Sequence, residues 1–219
     1  MHAVMAILAA LVRRNADGEG AYLDVSVADG VLALMALQVD EFLATGTTPG
    51  PGHGILTGRY ACYDTYMAAD GKWLALGIIE ARFWHNLCDA LGLAHWRDHQ
   101  TDDAVQDKIR AELRTVFATR DRDDWVGELA PADTCVAPVL TVPELIDDEQ
   151  YIARGAFVSA QHPRHGAFRQ VGPVLAGMTP AEGPYEVRDA DATDTDELLG
   201  AAGLSPEEYV QLHDAGVVA

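Results

Sequence analysis

Glu80 stands alone at the end of an apolar run, Leu74–Ile79 (LALGII), and directly before ARFWHNL, where an amphipathic helix begins. Strand alternation puts Leu74, Leu76, Ile78 and Glu80 on one side, so the acid ends an apolar face and opens a helix. Two chemistries suit a lone carboxylate there. It can complement the positive end of the helix, an effect of about 0.3–1 kcal/mol. Alternatively, two regular elements hold it rigidly enough to give or take a proton as a general base. Position alone favours the cap.

The other reactive residue types are more scattered. His95 and His99 are four apart and would share a helix face, but no third ligand with useful spacing follows, so no metal site is expected. The stretch HPRHG with Arg169 offers positive charge to a phosphate, although a polar hairpin turn is the simpler reading. His53 lies in a Gly/Pro-rich stretch and is expected to be exposed. No phosphate-binding glycine loop and no G-x-S-x-G nucleophile elbow is present. Cys62, Cys88 and Cys135 are odd in number and share no C-x-x-C spacing, the pattern of free thiols in a reducing, cytoplasmic compartment.

The elements that must hold these groups follow from pattern and punctuation. The 219 residues, 49% hydrophobic and 22% charged, can bury a sizeable core. A formal net charge of −19 argues against nucleic acid, and polyanionic ligands would need local basic groups or helix N-termini. The opening MHAVMAILAALVRR is too short to span a bilayer, and its charges follow the apolar run instead of preceding it; it reads as a helix, His2 to Asn15, that larger structure should cover. AYLDVSV (21–27) reads as a strand, and residues 29–45 as one apolar helix. In GTTPGPGHGILTG, Gly and Pro fill seven of thirteen places, the texture of a linker over 47–58.

Beyond it, RYACYDTYMAADGKWLALGII reads as two strands around Asp70-Gly71. Helices are expected at 81–91 (closed by Gly92), 103–118, 122–130 and 144–154, with CVAPVL a strand whose Pro138 favours an edge. A strand pair over 156–178 through HPRHG and two terminal helices, the second opened by Ser205-Pro206-Glu207-Glu208, complete the chain.

Several stretches in this order resemble the class III CoA-transferase (CaiB/BaiF) superfamily, and within it the α-methylacyl-CoA racemases. ILAALVRRNADGEGAYLDVSVADGVL is similar to the passage out of that family's large domain, and LTGRYACYDTYMAADGKWLALGIIEARFW to the opening hairpin of its small one. CVAPVLTVPELIDDEQYIARGAFV with RQVGPV resembles the return segment, and GLSPEEYVQLHDAGVV the usual end. The resemblance implies an α/β fold, a partial Rossmann-like large domain plus a smaller α+β domain of the interlocked type. Residues 1–46 would end the large domain, 59–150 form the small domain, and 151–219 return to pack on the large one.

Gly77, Ile79, Glu80 and Phe83 match the racemase motif G-x-I-E-x-x-F. By that resemblance Glu80 is the catalytic glutamate and Tyr63 lines the substrate pocket. The implied reaction is inversion at C2 of a 2-methylacyl-CoA, with no cofactor beyond the CoA of the substrate itself. Family members begin with a longer segment that supplies a catalytic histidine, a catalytic aspartate and most CoA contacts. Nothing here matches it, and His2 lies in the wrong motif to replace that histidine. The expectation is therefore a fragment inactive alone, with an interlocked homodimer or a separate N-terminal half as partner. Alternatives in the same superfamily are an acyl-CoA:carboxylate CoA-transferase and a non-enzymatic pairing subunit. Neither nucleic acid nor a membrane is an expected partner.

Overall fold

A computed structural model describes residues 1–179, 181–189 and 193–218. The fold is mixed α/β and divides into two compact units, Met1–Val139 and Leu140–Ala219.

Within the first unit, the stretch from Tyr60 to Val139 holds the core. Strands β1 (Thr65–Met67), β2 (Trp73–Leu76) and β3 (Val136–Val139) form an antiparallel sheet in that order. The β1–β2 turn is the expected hairpin: Gly71 takes φ +77°, Ala68 N–H bonds Lys72 C=O at 2.8 Å, and Lys72 N–H bonds Asp70 Oδ1 at 3.1 Å. Pro138 sits on β3 at the sheet's edge, where its missing N–H breaks no ladder. Helices α4 (Ala81–Ala90), α5 (Gln106–Phe117) and α6 (Arg122–Leu129) bury Phe83, Trp84, Leu87, Ile109, Leu113, Phe117, Trp125 and Leu129 with Tyr66, Leu74 and Ile78. Each such burial is worth about 1.5–3 kcal/mol. The polar atoms of the large rings are matched. Tyr66 Oη donates to Ala61 C=O at 2.7 Å, Trp84 Nε1 to Trp96 C=O at 2.9 Å, and Trp125 Nε1 to Phe117 C=O at 3.0 Å.

The first 45 residues behave differently. Helices α1 (His2–Asp17), α2 (Val27–Leu34) and α3 (Ala36–Thr45) contain no buried residue. The strand expected over 21–27 is absent: residues 18–26 are irregular, no neighbouring strand offers a ladder, and Ser26 caps α2 instead by accepting from Asp29 N–H. The single helix expected over 29–45 is two, broken at Met35 (φ −92°, ψ 7°), whose N–H is shared between the carbonyls of Val31 and Leu32. His2 packs on α2 so closely that a Cβ at Gly30 would lie 2.9 Å from its Nδ1.

The second unit pairs β4 (Phe157–His162) antiparallel with β5 (Gly166–Val171) through the HPRHG turn, with β6 (Tyr185–Glu186) parallel on the other side of β4. The helix expected over 144–154 is two short ones, α7 (Val142–Ile146) and α8 (Glu149–Ala153). The Asp148 side chain accepts from the N–H groups of Gln150 and Tyr151, so it caps a new helix and stops the old one continuing. Helices α9 (Thr195–Ala201) and α10 (Pro206–Asp214) close the unit, with a capping box between Ser205 and Glu208.

Candidate active site

Glu80 is where the hairpin hands over to α4. Strand β2 ends at Leu76, and Ile78 is still fully buried, but the pattern then breaks: Ile79 and Glu80 are exposed. Alternation therefore holds for Leu74, Leu76 and Ile78 and stops short of Glu80, which has turned into the helix N-terminus. Its backbone is the N-cap of α4 (φ −76°, ψ 134°), and its carbonyl accepts from Phe83 N–H at 3.1 Å and Trp84 N–H at 3.3 Å. The carboxylate makes no capping hydrogen bond. Among the described residues the carboxylate enters no hydrogen bond or ion pair. A capping acid would be spent on the backbone; this one is free to meet a substrate.

Tyr63 lies just before β1, half-buried, at the edge of an open hollow of about 440 Å³ lined also by Leu56, Asp64, Ala75, Gly77 and Cys135. At Gly77 a Cβ would stand 4.0 Å from the Tyr63 ring and 3.9 Å from Cys135 C=O, ordinary van der Waals distances. Cys135 itself adopts φ 51°, and its carbonyl takes Gly77 N–H at 3.1 Å. Glu80 is not among the lining residues of this hollow.

Two glutamines that sequence reasoning passed over hold this neighbourhood together. Gln100 Nε2 donates to Ile78 C=O (3.1 Å) and Ile79 C=O (2.9 Å), and lies 3.8 Å from Cys62 Sγ. Gln106, buried, accepts Ala61 N–H on Oε1 at 2.9 Å, and its Nε2 faces the carbonyls of His99, Gln100 and Asp102. Burial pushes the Cys62 thiol above its usual range, an effect the Gln100 hydrogen bond partly opposes. No local pattern marks either glutamine: Gln100 reaches 21 and 22 residues back, and Gln106 joins its nearby carbonyls to Ala61, 45 residues away.

His95, His99, His53 and His162 have partners of their own. His95 Nε2 and Trp96 Nε1 share Glu112 Oε2 at 3.1 and 2.7 Å, and hydrogen bonds from Trp96 and then His95 hold the Glu112 carboxyl below its usual range. His99 Nδ1 meets Asp102 at 3.0 Å, so the pair four apart is split between two acids. Among the described residues no group of three or more His, Cys, Asp or Glu could hold a metal. His53 departs from the expected exposure: it is half-buried, with Nε2 3.0 Å from Glu41 Oε1. In the HPRHG turn, His162 Nδ1 accepts the N–H groups of Arg164 and His165, and Arg164 pairs with Asp189 at 2.6 Å. Arg164 is thereby engaged by an acid beyond β6, outside the turn itself.

The chain belongs to CoA-transferase family III, whose model matches residues 1–188. It is similar to the α-methylacyl-CoA racemase of Mus musculus, 30% identical over 98% of this chain and 56% of the relative. It is also similar to a formyl-CoA:oxalate CoA-transferase of Rhodopseudomonas palustris, 26% identical over 100% of this chain and 58% of that protein. Among solved structures, a CaiB/BaiF family protein from Brucella suis superposes with a TM-score of 0.68 at 23% identity, covering 92% of this chain and 53% of that one. The chain thus spans little more than half the length of the relatives it matches. No helix among the described residues is long and apolar enough to cross a membrane.

Proposed function

We propose that this chain contributes the glutamate half of a proton-transfer site that inverts C2 of a 2-methylacyl-CoA thioester. The observation that carries the reading is Glu80 itself: an ionisable carboxylate on a rigid strand–helix junction, exposed and making no cap bond. Similarity to the racemases supports it. Inversion needs one base to remove the α-proton and a conjugate acid to return a proton to the opposite face, with donors for the thioester oxygen. Glu80 serves one side, and Tyr63 lines the pocket wall.

No histidine among the described residues lies within hydrogen-bond reach of Glu80. The reading therefore takes the complementary groups, a histidine and an aspartate by the family resemblance, from outside these 219 residues. In this arrangement residues 1–46 belong to a large domain, 59–150 to a small one and 151–219 to a segment returning to the large one. The partner is a second interlocked copy or a separate N-terminal half, and the setting is the cytoplasm.

A second reading has its own support, since the formyl-CoA:oxalate transferase matches the whole chain. CoA exchange between acids needs no α-proton abstraction, so a carboxylate at position 80 would be incidental to it. Solvent deuterium entering C2 of a 2-methylacyl-CoA separates the two. The chain alone is expected to give no exchange above the buffer rate. With the N-terminal portion of a racemase relative added as a second polypeptide, exchange should appear and fall about 10²-fold or more in Glu80→Gln at unchanged folding. CoA transfer to a free carboxylate, insensitive to that substitution and without deuterium at C2, would end the racemase reading.

A further inference from the structure

We propose that Gln100 is a positioning residue for Glu80, a clamp on the two peptides that aim the carboxylate, and that Gln106 sets the clamp in place. The geometry is local and complete. After β2 ends, Gly77 N–H is held by Cys135 C=O and Ile78 N–H by Cys62 C=O at 3.0 Å, so the donor side of the segment is fixed from two directions. The acceptor side is not: among the described residues no backbone N–H reaches the carbonyl of Ile78 or Ile79. The Gln100 amide has two N–H groups on one nitrogen and faces both carbonyls at once, at 3.1 and 2.9 Å.

Fixing both peptide planes fixes the backbone dihedrals of Ile79; with the Glu80 carbonyl held in turn by Phe83 and Trp84 N–H, the dihedrals of Glu80 and its Cα–Cβ direction are set as well. A glutamine in an irregular segment would lose much of this through its own rotamer freedom. Gln106 offsets that loss, because its buried amide grips the backbone of residues 99, 100 and 102 on one side and Ala61 N–H on the other. Ala61 is two residues before Tyr63, so one chain of hydrogen bonds runs from the Tyr63 segment through Gln106 and Gln100 to the peptide preceding Glu80. The two candidate site residues, far apart in sequence, are set relative to each other by two side chains that carry no charge and so add no competing field. That this arrangement serves proton transfer rests on the function proposed above; the clamp does not.

Two substitutions on the 219-residue chain test it. Gln100→Met keeps bulk and removes both donors. Gln100→Glu keeps shape, lacks a donor when ionised and regains one O–H when protonated. The readout is amide hydrogen exchange at Phe83 and Trp84, which donate to the Glu80 carbonyl. In Gln100→Met their exchange, corrected for intrinsic rates, should speed up about tenfold, while amides of Leu113 and Phe117 keep their protection. In Gln100→Glu the loss should match Met at neutral pH and partly reverse on acidification, a recovery that a packing defect would not show. With the N-terminal segment supplied, Gln100→Met should lower kcat for C2 deuteration with KM unchanged. Unchanged protection at Phe83 and Trp84 in Gln100→Met, or no acid recovery in Gln100→Glu, overturns the clamp. Turnover indifferent to Glu80→Gln sinks the proton-transfer reading and leaves the exchange result standing, so the two failures are distinguishable.

Discussion

The stretch from Tyr60 to Val139 and the three helices before it are both rich in apolar residues, the helices more so, yet they end in opposite states. In the former, Trp84, Tyr66, Phe117, Leu74, Ile78, Leu87, Ile109, Leu113 and Leu129 are buried to below 2% exposure. In α1–α3 not one residue is buried, and Val4, Met5, Leu8, Val12, Val31, Leu34, Leu37 and Leu43 stand open. Composition alone does not decide burial. The stretch beyond residue 60 has a sheet with one face to cover and three helices to cover it, so its apolar surface closes on itself. The three N-terminal helices have no sheet of their own. Continuous apolar exposure of that kind promotes association, which free monomers normally avoid.

Truncation should separate the regions most sharply. Trp84→Ala or Phe117→Ala removes a fully buried ring from a closed core and should cost about 3–5 kcal/mol in denaturant unfolding. Leu8→Ala and Leu37→Ala, on exposed faces, should stay within about 0.5 kcal/mol. Size-exclusion chromatography should show dimers or larger species, and Leu8→Glu with Val12→Glu should shift them to smaller ones. A costly Leu8→Ala in a clean monomer would break the comparison, because it would mean that the helices are covered within the chain itself.

How much of this was readable from the sequence tracks the same divide. Where a local rule has a local cause, the reading held. Asp70-Gly71 made the hairpin, Pro138 went to an edge, Gly92 closed α4 with φ +69°, and Ser205 capped α10. Where an element depends on a distant partner, it failed: 21–27 has strand-forming residues but no neighbour to pair with, and 29–45 breaks at Met35 without a Gly or Pro to announce it. In the candidate site, Glu80 and Tyr63 came from motif resemblance, and alternation misjudged the face on which Glu80 emerges. Gln100 and Gln106 were invisible, since a glutamine becomes a clamp only when tertiary structure brings carbonyls to it.

The thiols sharpen the contrast between closed and open surface. Burial pushes the Cys88 thiol from 9.0 to about 12 and raises Cys62 as well, while Cys135 is exposed. A raised pKa in an acid means that the folded chain keeps a proton the unfolded chain gives up. Above about pH 9 the unfolded state therefore binds fewer protons, and stability falls as pH climbs towards the folded value near 12. Denaturant midpoints should decline between pH 9 and 11, and Cys88→Ala should flatten the decline. At neutral pH a thiol reagent should modify Cys135 quickly, and Cys62 and Cys88 only on unfolding. Equal labelling of all three would mean that the core opens readily.

The smallest expected effect bears most directly on Glu80. Two acidic helix starts look alike in sequence but differ in what their side chains do. At α10, Ser205 Oγ accepts Glu208 N–H at 3.3 Å while Glu208 reaches back to Ser205 N–H at 2.8 Å, so orphan donors at the start of the helix are satisfied. At α4, Glu80 supplies only its backbone as cap, and its carboxylate bonds to none of those donors. Ser205→Ala should therefore cost about 1 kcal/mol in the stability of its helix, read by hydrogen exchange of Glu208 and Tyr209 amides. Glu80→Gln removes only a charge near a helix N-terminus at the surface and should cost about 0.3 kcal/mol, vanishing in high salt. A Glu80→Gln loss as large as that of Ser205→Ala, and unmoved by salt, would restore the capping reading and remove the structural reason for assigning the carboxylate to chemistry. A negligible loss beside a 10²-fold fall in C2 deuteration would put the value of Glu80 almost wholly in catalysis.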